Sequence, residues 1–311
     1  MGTSRWSTDD WTGYSAKTST KTTAEIFTSR NLHDDLNPKG INRESRDSDE
    51  NPESNAIIIG CDVTGSMGMI ANNLVREGLG VLFGEIYDRK PVADPHIMVA
   101  AIGDVKYDSA PLQVGQFEAD LKITDDLEKV YVEKGGGGNS HESYDMPMYF
   151  AAYHTSIDCF EKRNKKGYLF TIGDEEPPEF TYKDAVNKII GDDGLQADIP
   201  FKETVEAAQK MYNVYHIIVA EGSHCRYNER NGGAKYVRDK WADYLGQNAV
   251  IIEDYTKLAE VIVSIIEVNE GRDVDAVAGS WSGDTSLVVK SAISGLTAKS
   301  DDDVDGEIMR F

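Results

Sequence analysis

The sequence is short of several things, and each shortage narrows what the chain can be. It has three cysteines, Cys61, Cys159 and Cys225, far apart along its length. An odd, scattered set fits neither a disulfide framework nor a zinc site, and the expected setting is reducing and cytoplasmic. No stretch approaches the roughly 18 apolar residues that a membrane span requires. The N-terminus, MGTSRWSTDDWTGYS, has no apolar core, so no secretory signal is expected, and Trp6 stands where a myristoylation motif wants Ser or Thr. Positive charge is scarce: 32 Lys and Arg against 54 Asp and Glu leave a formal net charge of −22. Nucleic acid and anionic membranes need basic surfaces, so neither is an expected partner. Such acidity suits cations, basic partners or plain solubility. Catalytic signatures are missing as well, with no Gly-x-Ser-x-Gly elbow, Walker A loop or G-x-G-x-x-G. The expected role is therefore not an enzyme's.

What remains is a chain of 311 residues, 40% hydrophobic and 28% charged, enough for a sizeable core. Residues 1–54 are rich in Ser, Thr, Asp and Asn and read as a polar, irregular arm. Trp6, Trp11, Tyr14, Ile26 and Phe27 are the side chains with which such an arm would anchor to the folded body. Residues 55–268 alternate strand and helix patterns. Strands are expected at 56–60, 96–102, 112–117, 168–172, 214–220 and 249–252. Helices are expected at 67–87, 120–132, 143–158, 183–190, 201–212, 233–245 and 255–268, the last of them amphipathic. This pattern predicts an α/β fold: a doubly wound, mainly parallel six-stranded sheet with one antiparallel edge strand, 112–117. Residues 269–311 read as a polar, acidic tail with a short strand within 280–290.

In open sheets of this kind ligands sit beyond the carboxyl ends of the strands. Three loops should meet there. Asp62, Thr64 and Ser66 follow the first strand at once, spaced two apart. GGGGNSHES (135–143) brings Asn139, Ser140 and Glu142, and Gly173-Asp174-Glu175 follows the fourth strand. All of these side chains are oxygen donors. Hard oxygens suit magnesium, with manganese or calcium as alternatives, and not zinc or copper. Asp104 and Asp108 read as turn formers, His216 as a core histidine, His141 as exposed, and His224 with Cys225 lack the further ligands that zinc needs.

Asp62-Val63-Thr64-Gly65-Ser66 resembles the Asp-x-Ser/Thr-x-Ser signature of the von Willebrand factor A (VWA) domain with its metal-ion-dependent adhesion site (MIDAS). The Ile-rich strand before it and the long helix after it match too, and the resemblance covers 55–268. It implies a Rossmann-like VWA fold in which Thr64 and Ser66 bind the metal directly, while Asp62 and Asp174 act through water. The commonest VWA pattern supplies a threonine from the second loop, and GGGGNSHES has none. That loop is more similar to the integrin β version, which implies Glu142, with Asn139 and Ser140 left as alternatives. The implied function is metal-dependent adaptor or scaffold binding, with the ion capturing an Asp or Glu carboxylate of a protein partner, a MoxR-type AAA+ ATPase being one such partner. Two other functions stay open: a structural component of a phage or other large assembly, and a metal-dependent phosphoesterase. IIIGCDVTGS also resembles the start of a haloacid-dehalogenase phosphatase, but Thr64 stands where that family needs its acid.

Overall fold

The computed structural model describes residues 4–132 and 141–297. A six-stranded sheet forms its centre. Strands β2 (Asn55–Asp62), β3 (Pro95–Ile102), β6 (Gly167–Gly173), β9 (Tyr212–Val219) and β10 (Ala249–Ile252) are parallel, and β4 (Leu112–Val114) closes one edge antiparallel to β3. Their order is β10-β9-β6-β2-β3-β4. This is the doubly wound α/β sheet expected from the sequence. Two small pairs lie outside it: β1 (Arg43–Ser45) with β5 (Thr155–Ile157), and β7 (Phe180–Thr181) with β8 (Ile199–Pro200).

All eight residues of β2 are buried. Ile57 and Ile59 enter one core and Ala56 and Ile58 the other, as the two-residue period of a strand dictates. In β6, Tyr168, Phe170 and Ile172 share the first core and Leu169 the second. Strands apolar on both faces need a helical layer on each side. Helices α4 (Leu79–Arg89), α5 (Lys122–Lys129) and α12 (Leu258–Asn269) supply the first layer. Helices α6 (Asp145–Tyr153), α9 (Phe201–Gln209) and α11 (Ala234–Leu245) supply the second. A one-residue slip of β2 would exchange its faces, and each buried isoleucine contributes about 1.5–3 kcal/mol, so the register is held firmly. Strand order runs outward from β2 through β3 to β4 on one side and through β6, β9 and β10 on the other. The switch point, and hence the crevice, lies between the carboxyl ends of β2 and β6.

The structure departs from the sequence reading in five places. The arm is not irregular throughout. It carries α1 (Thr8–Thr18), capped by Ser7, and α2 (Thr23–Ile26), and it lies on the first core. Ile26 and Leu36 are buried there, Trp11, Tyr14 and Phe27 pack against the same core, and Trp6 stacks on Phe83 at 4.4 Å. Helix 143–158 breaks at His154, because Thr155–Ile157 pairs with β1 before α7 (Asp158–Arg163) begins. Helix 67–87 is composite: a 3-10 turn, α3 (Gly68–Asn73), a π-helical turn over Leu74–Gly78, then α4. Helix α12 is not amphipathic, since every residue from Leu258 to Val268 is buried. A helix buried on every face needs cover on both sides, and α13 (Val274–Gly279) with α14 (Gly283–Ile293) supplies the second side. The strand expected within 280–290 is therefore a helix, with Val289 and Ile293 buried four residues apart. Residues 298–311, where the acidic run falls, lie outside the described residues.

Candidate metal centre

Local chain chemistry builds the first loop. The Thr64 backbone N–H and its hydroxyl Oγ1 each reach Asp62 Oδ1 at 2.8 Å, folding the chain back on the end of β2. Gly65 follows at φ +43°, a left-handed conformation that glycine adopts without strain, and the helical course starts from it. The second loop is pinned where it enters α6. The Ser143 N–H donates to Gly103 O at 3.1 Å, and Ser143 Oγ accepts from the Val105 N–H at 3.0 Å. That places Glu142 Oε1 3.1 Å from Thr64 Oγ1. In the third loop the His224 N–H donates to Asp174 Oδ2 at 2.7 Å. Gly222 is needed beside it, because a Cβ there would stand 2.2 Å from Asp174 Oδ2.

Asp62, Glu142 and Asp174 are 1%, 3% and 2% exposed, so three carboxyls are almost wholly removed from water. Burial pushes Asp62 upward, the charges of Asp174 and Asp108 add to it, and the bonds from Thr64 oppose it in part. Glu142 rises for the same reason, with Asp62 and Glu175 as its charged neighbours. Burial also raises Asp174, against the hydrogen bond from His224, and it carries Glu175 to about 8 with the help of Asp62 and Asp174. Burial thus opposes ionisation of all four acids, and neighbouring negative charge adds to it at Asp62, Glu142 and Glu175. Among the described residues, Glu142 Oε2, Glu175 Oε2 and the Tyr144 hydroxyl are buried without a hydrogen-bond partner.

The residues present fit a hard cation. Thr64 has one hydroxyl proton and two carboxylate oxygens within reach, so its proton cannot satisfy both fully. Positive charge supplied here would relieve the crowding and occupy orphaned oxygens. Among the described residues no group of three or more His, Cys, Asp or Glu side chains is placed to hold an ion. Of the residues the sequence singled out, Asp62, Thr64 and Glu142 are joined by hydrogen bonds through the Thr64 hydroxyl, and Asp174 is near enough for its charge to act on Asp62. Asn139 and Ser140, and the side chain of Ser66, lie outside the described residues. The fourth segment, Gly222–His224, was missed. Its contribution is a backbone N–H and a missing Cβ, and its only sequence signal is a glycine just after β9.

Asp104, His216 and Cys225 have partners within the fold. Asp104 is buried and accepts from the Lys106 N–H at 2.7 Å, the turn role expected of it. His216 is a core histidine, stacked on Trp241 with ring centroids 3.7 Å apart and hydrogen-bonded to Thr171. Cys225 Sγ donates to Asp174 O, while His224 Nε2 stands 3.9 Å from Glu176.

No protein-family model matches the chain, and no curated protein matches it in sequence. Among solved structures it is similar to the pilus adhesin SpaC from Lactobacillus rhamnosus GG, at 10% identity and a TM-score of 0.44, over 74% of this chain and 32% of that one. It is also similar to a von Willebrand factor type A protein from Catenulispora acidiphila, at 12% identity and a TM-score of 0.39, over 78% of this chain and 52% of that one. The chain spans about a third and about half of the lengths of these two. The site is therefore read from this chain's own residues.

Proposed function

We propose that the protein is a metal-dependent protein-binding domain of the VWA type, with a MIDAS-like site at the carboxyl ends of β2 and β6. Asp62, Thr64, Glu142 and Asp174, with Ser66, would hold a divalent cation, magnesium in preference to manganese or calcium. The observation that carries this reading is the Thr64 hydroxyl set between the Asp62 and Glu142 carboxylates, with Glu142 Oε2 buried and unpartnered. When bound, a cation supplies an open position that a partner's Asp or Glu carboxylate can fill through a charge-assisted contact. The chain's own residues do the rest. Asp62 orients Thr64, His224 and Gly222 fix Asp174, and the neighbouring acids repel a partner carboxylate unless the cation is present. Glu142 sets the net charge, because each added carboxylate weakens the pull on an acidic partner.

Binding is favoured over phosphoester hydrolysis because Thr64 offers a hydroxyl already held by Asp62, where a phosphatase of the haloacid-dehalogenase type places its acid. A cytoplasmic setting is part of the proposal; Cys61, Cys159 and Cys225 are all free and buried, and no described helix is long and apolar enough to cross a membrane. The test is affinity capture with the parent in magnesium, the parent in EDTA, and Asp62→Asn in magnesium. Partners retained in the first and lost from both others are expected; identical sets from all three would contradict the proposal.

A further inference from the structure

Beside Glu142 lies a cavity of about 210 Å³ that the carboxylate-capturing role does not use. Four of its wall residues are acids: Asp104, Glu142, Asp145 and Glu179. Asp104 and Asp145 are 2% and 4% exposed, and Glu142 has the unpartnered Oε2 described above. Lys106 is the fixed positive charge in the wall, and its ammonium stands 5.1 Å from the centroid of the Tyr182 ring. Phe180 and Tyr182 also line the cavity, with ring centroids 6.4 Å apart, and Phe180 is 39% exposed.

We propose that this cavity receives an arginine side chain of the protein partner, next to the carboxylate taken up at the strand ends. Acidic walls oppose an anion, and their polarity opposes a purely apolar group. A planar guanidinium matches what is there: Glu142 Oε2 and the exposed Glu179 carboxylate can accept its forked N–H donors, and the exposed Phe180 ring can accept its face. The volume suits one long side chain and not a packed secondary-structure element. Glu142 belongs to both places, with Oε1 toward Thr64 and Oε2 without a partner. A partner carrying Arg and an acid close together would thus be read at two adjoining points. The acidic half rests on the metal reading above. The arginine half does not.

The test follows backbone amide shifts of the full chain during titration with n-butylguanidinium, n-butylammonium and the neutral n-butylurea, in magnesium and in EDTA. Butylguanidinium should shift the amides of Lys106, Ser143, Phe180 and Tyr182, and butylurea should not. Glu179 is exposed, so Glu179→Gln should fold normally and weaken the effect about two- to fivefold. Equal shifts from butylurea, or none from butylguanidinium, would overturn the proposal, and stronger shifts from butylammonium would overturn the choice of arginine. A magnesium response without a guanidinium response refutes this inference alone. A guanidinium response without a magnesium response supports it and refutes the metal reading.

Discussion

A hydroxyl has one proton to donate, and two carboxylate oxygens stand within 2.8 and 3.1 Å of Thr64 Oγ1. The native fold therefore places more carboxyl oxygens at this point than its own donors satisfy and makes them costly to ionise, so replacing one acid with its neutral isostere should help the metal-free protein. Glu142→Gln should stabilise the EDTA-treated protein by about 1–3 kcal/mol and abolish most of its gain from magnesium. Urea denaturation with and without magnesium measures both. Destabilisation of similar size in EDTA would show that Glu142 is already satisfied. Asp62 and Thr64 were legible in the sequence because they sit together at the end of an unmistakable strand. The Asp174 clamp was not, because its donor is the main-chain N–H of His224, which no residue type announces.

The elements tell a similar story about what a pattern carries. Strand β2 could be read because its neighbours in the chain alternate between two apolar layers. The segment 280–290 misled because Val288 and Val289 favour strands locally, whereas the unsatisfied outer face of α12 draws the segment into a helix. In the same way β5 interrupts an apparent helix only because β1, more than a hundred residues earlier, pairs with it. Such outcomes depend on partners distant in sequence, which local periodicity does not record. Ile293 is fully buried and Leu287 is 68% exposed on the same helix. Ile293→Ala should cost about 2–4 kcal/mol by chemical denaturation, and Leu287→Ala should stay within about 0.5 kcal/mol. Equal effects would contradict the packing of α14 on α12.

For the whole molecule, acid stability follows from buried histidine as well as from acidic surface. His96 is fully buried in β3, with Nδ1 3.1 Å from Ser45 Oγ and Nε2 without a partner. Burial pulls its pKa down to about 4, against the opposing charges of Asp94, Asp47 and Asp158. The unfolded chain, with an ordinary histidine, takes up this proton near pH 6.5, and the folded one does so only near 4. Stability from this group is complete above pH 6.5 and is lost as pH falls toward 4, by about 3 kcal/mol in all. Burial lowers His216 in the same direction. Denaturation midpoints across this range should slope downward with acid in the parent and less steeply in His96→Gln; parallel slopes would remove His96 from the explanation.

Metal binding at the strand ends is tested most directly by calorimetric titration of magnesium into the EDTA-stripped protein, beside Asp62→Asn. The parent should show one saturable site and the variant none. A silent parent, or a variant that binds as the parent does, would contradict a cation held by Asp62, Thr64, Glu142 and Asp174.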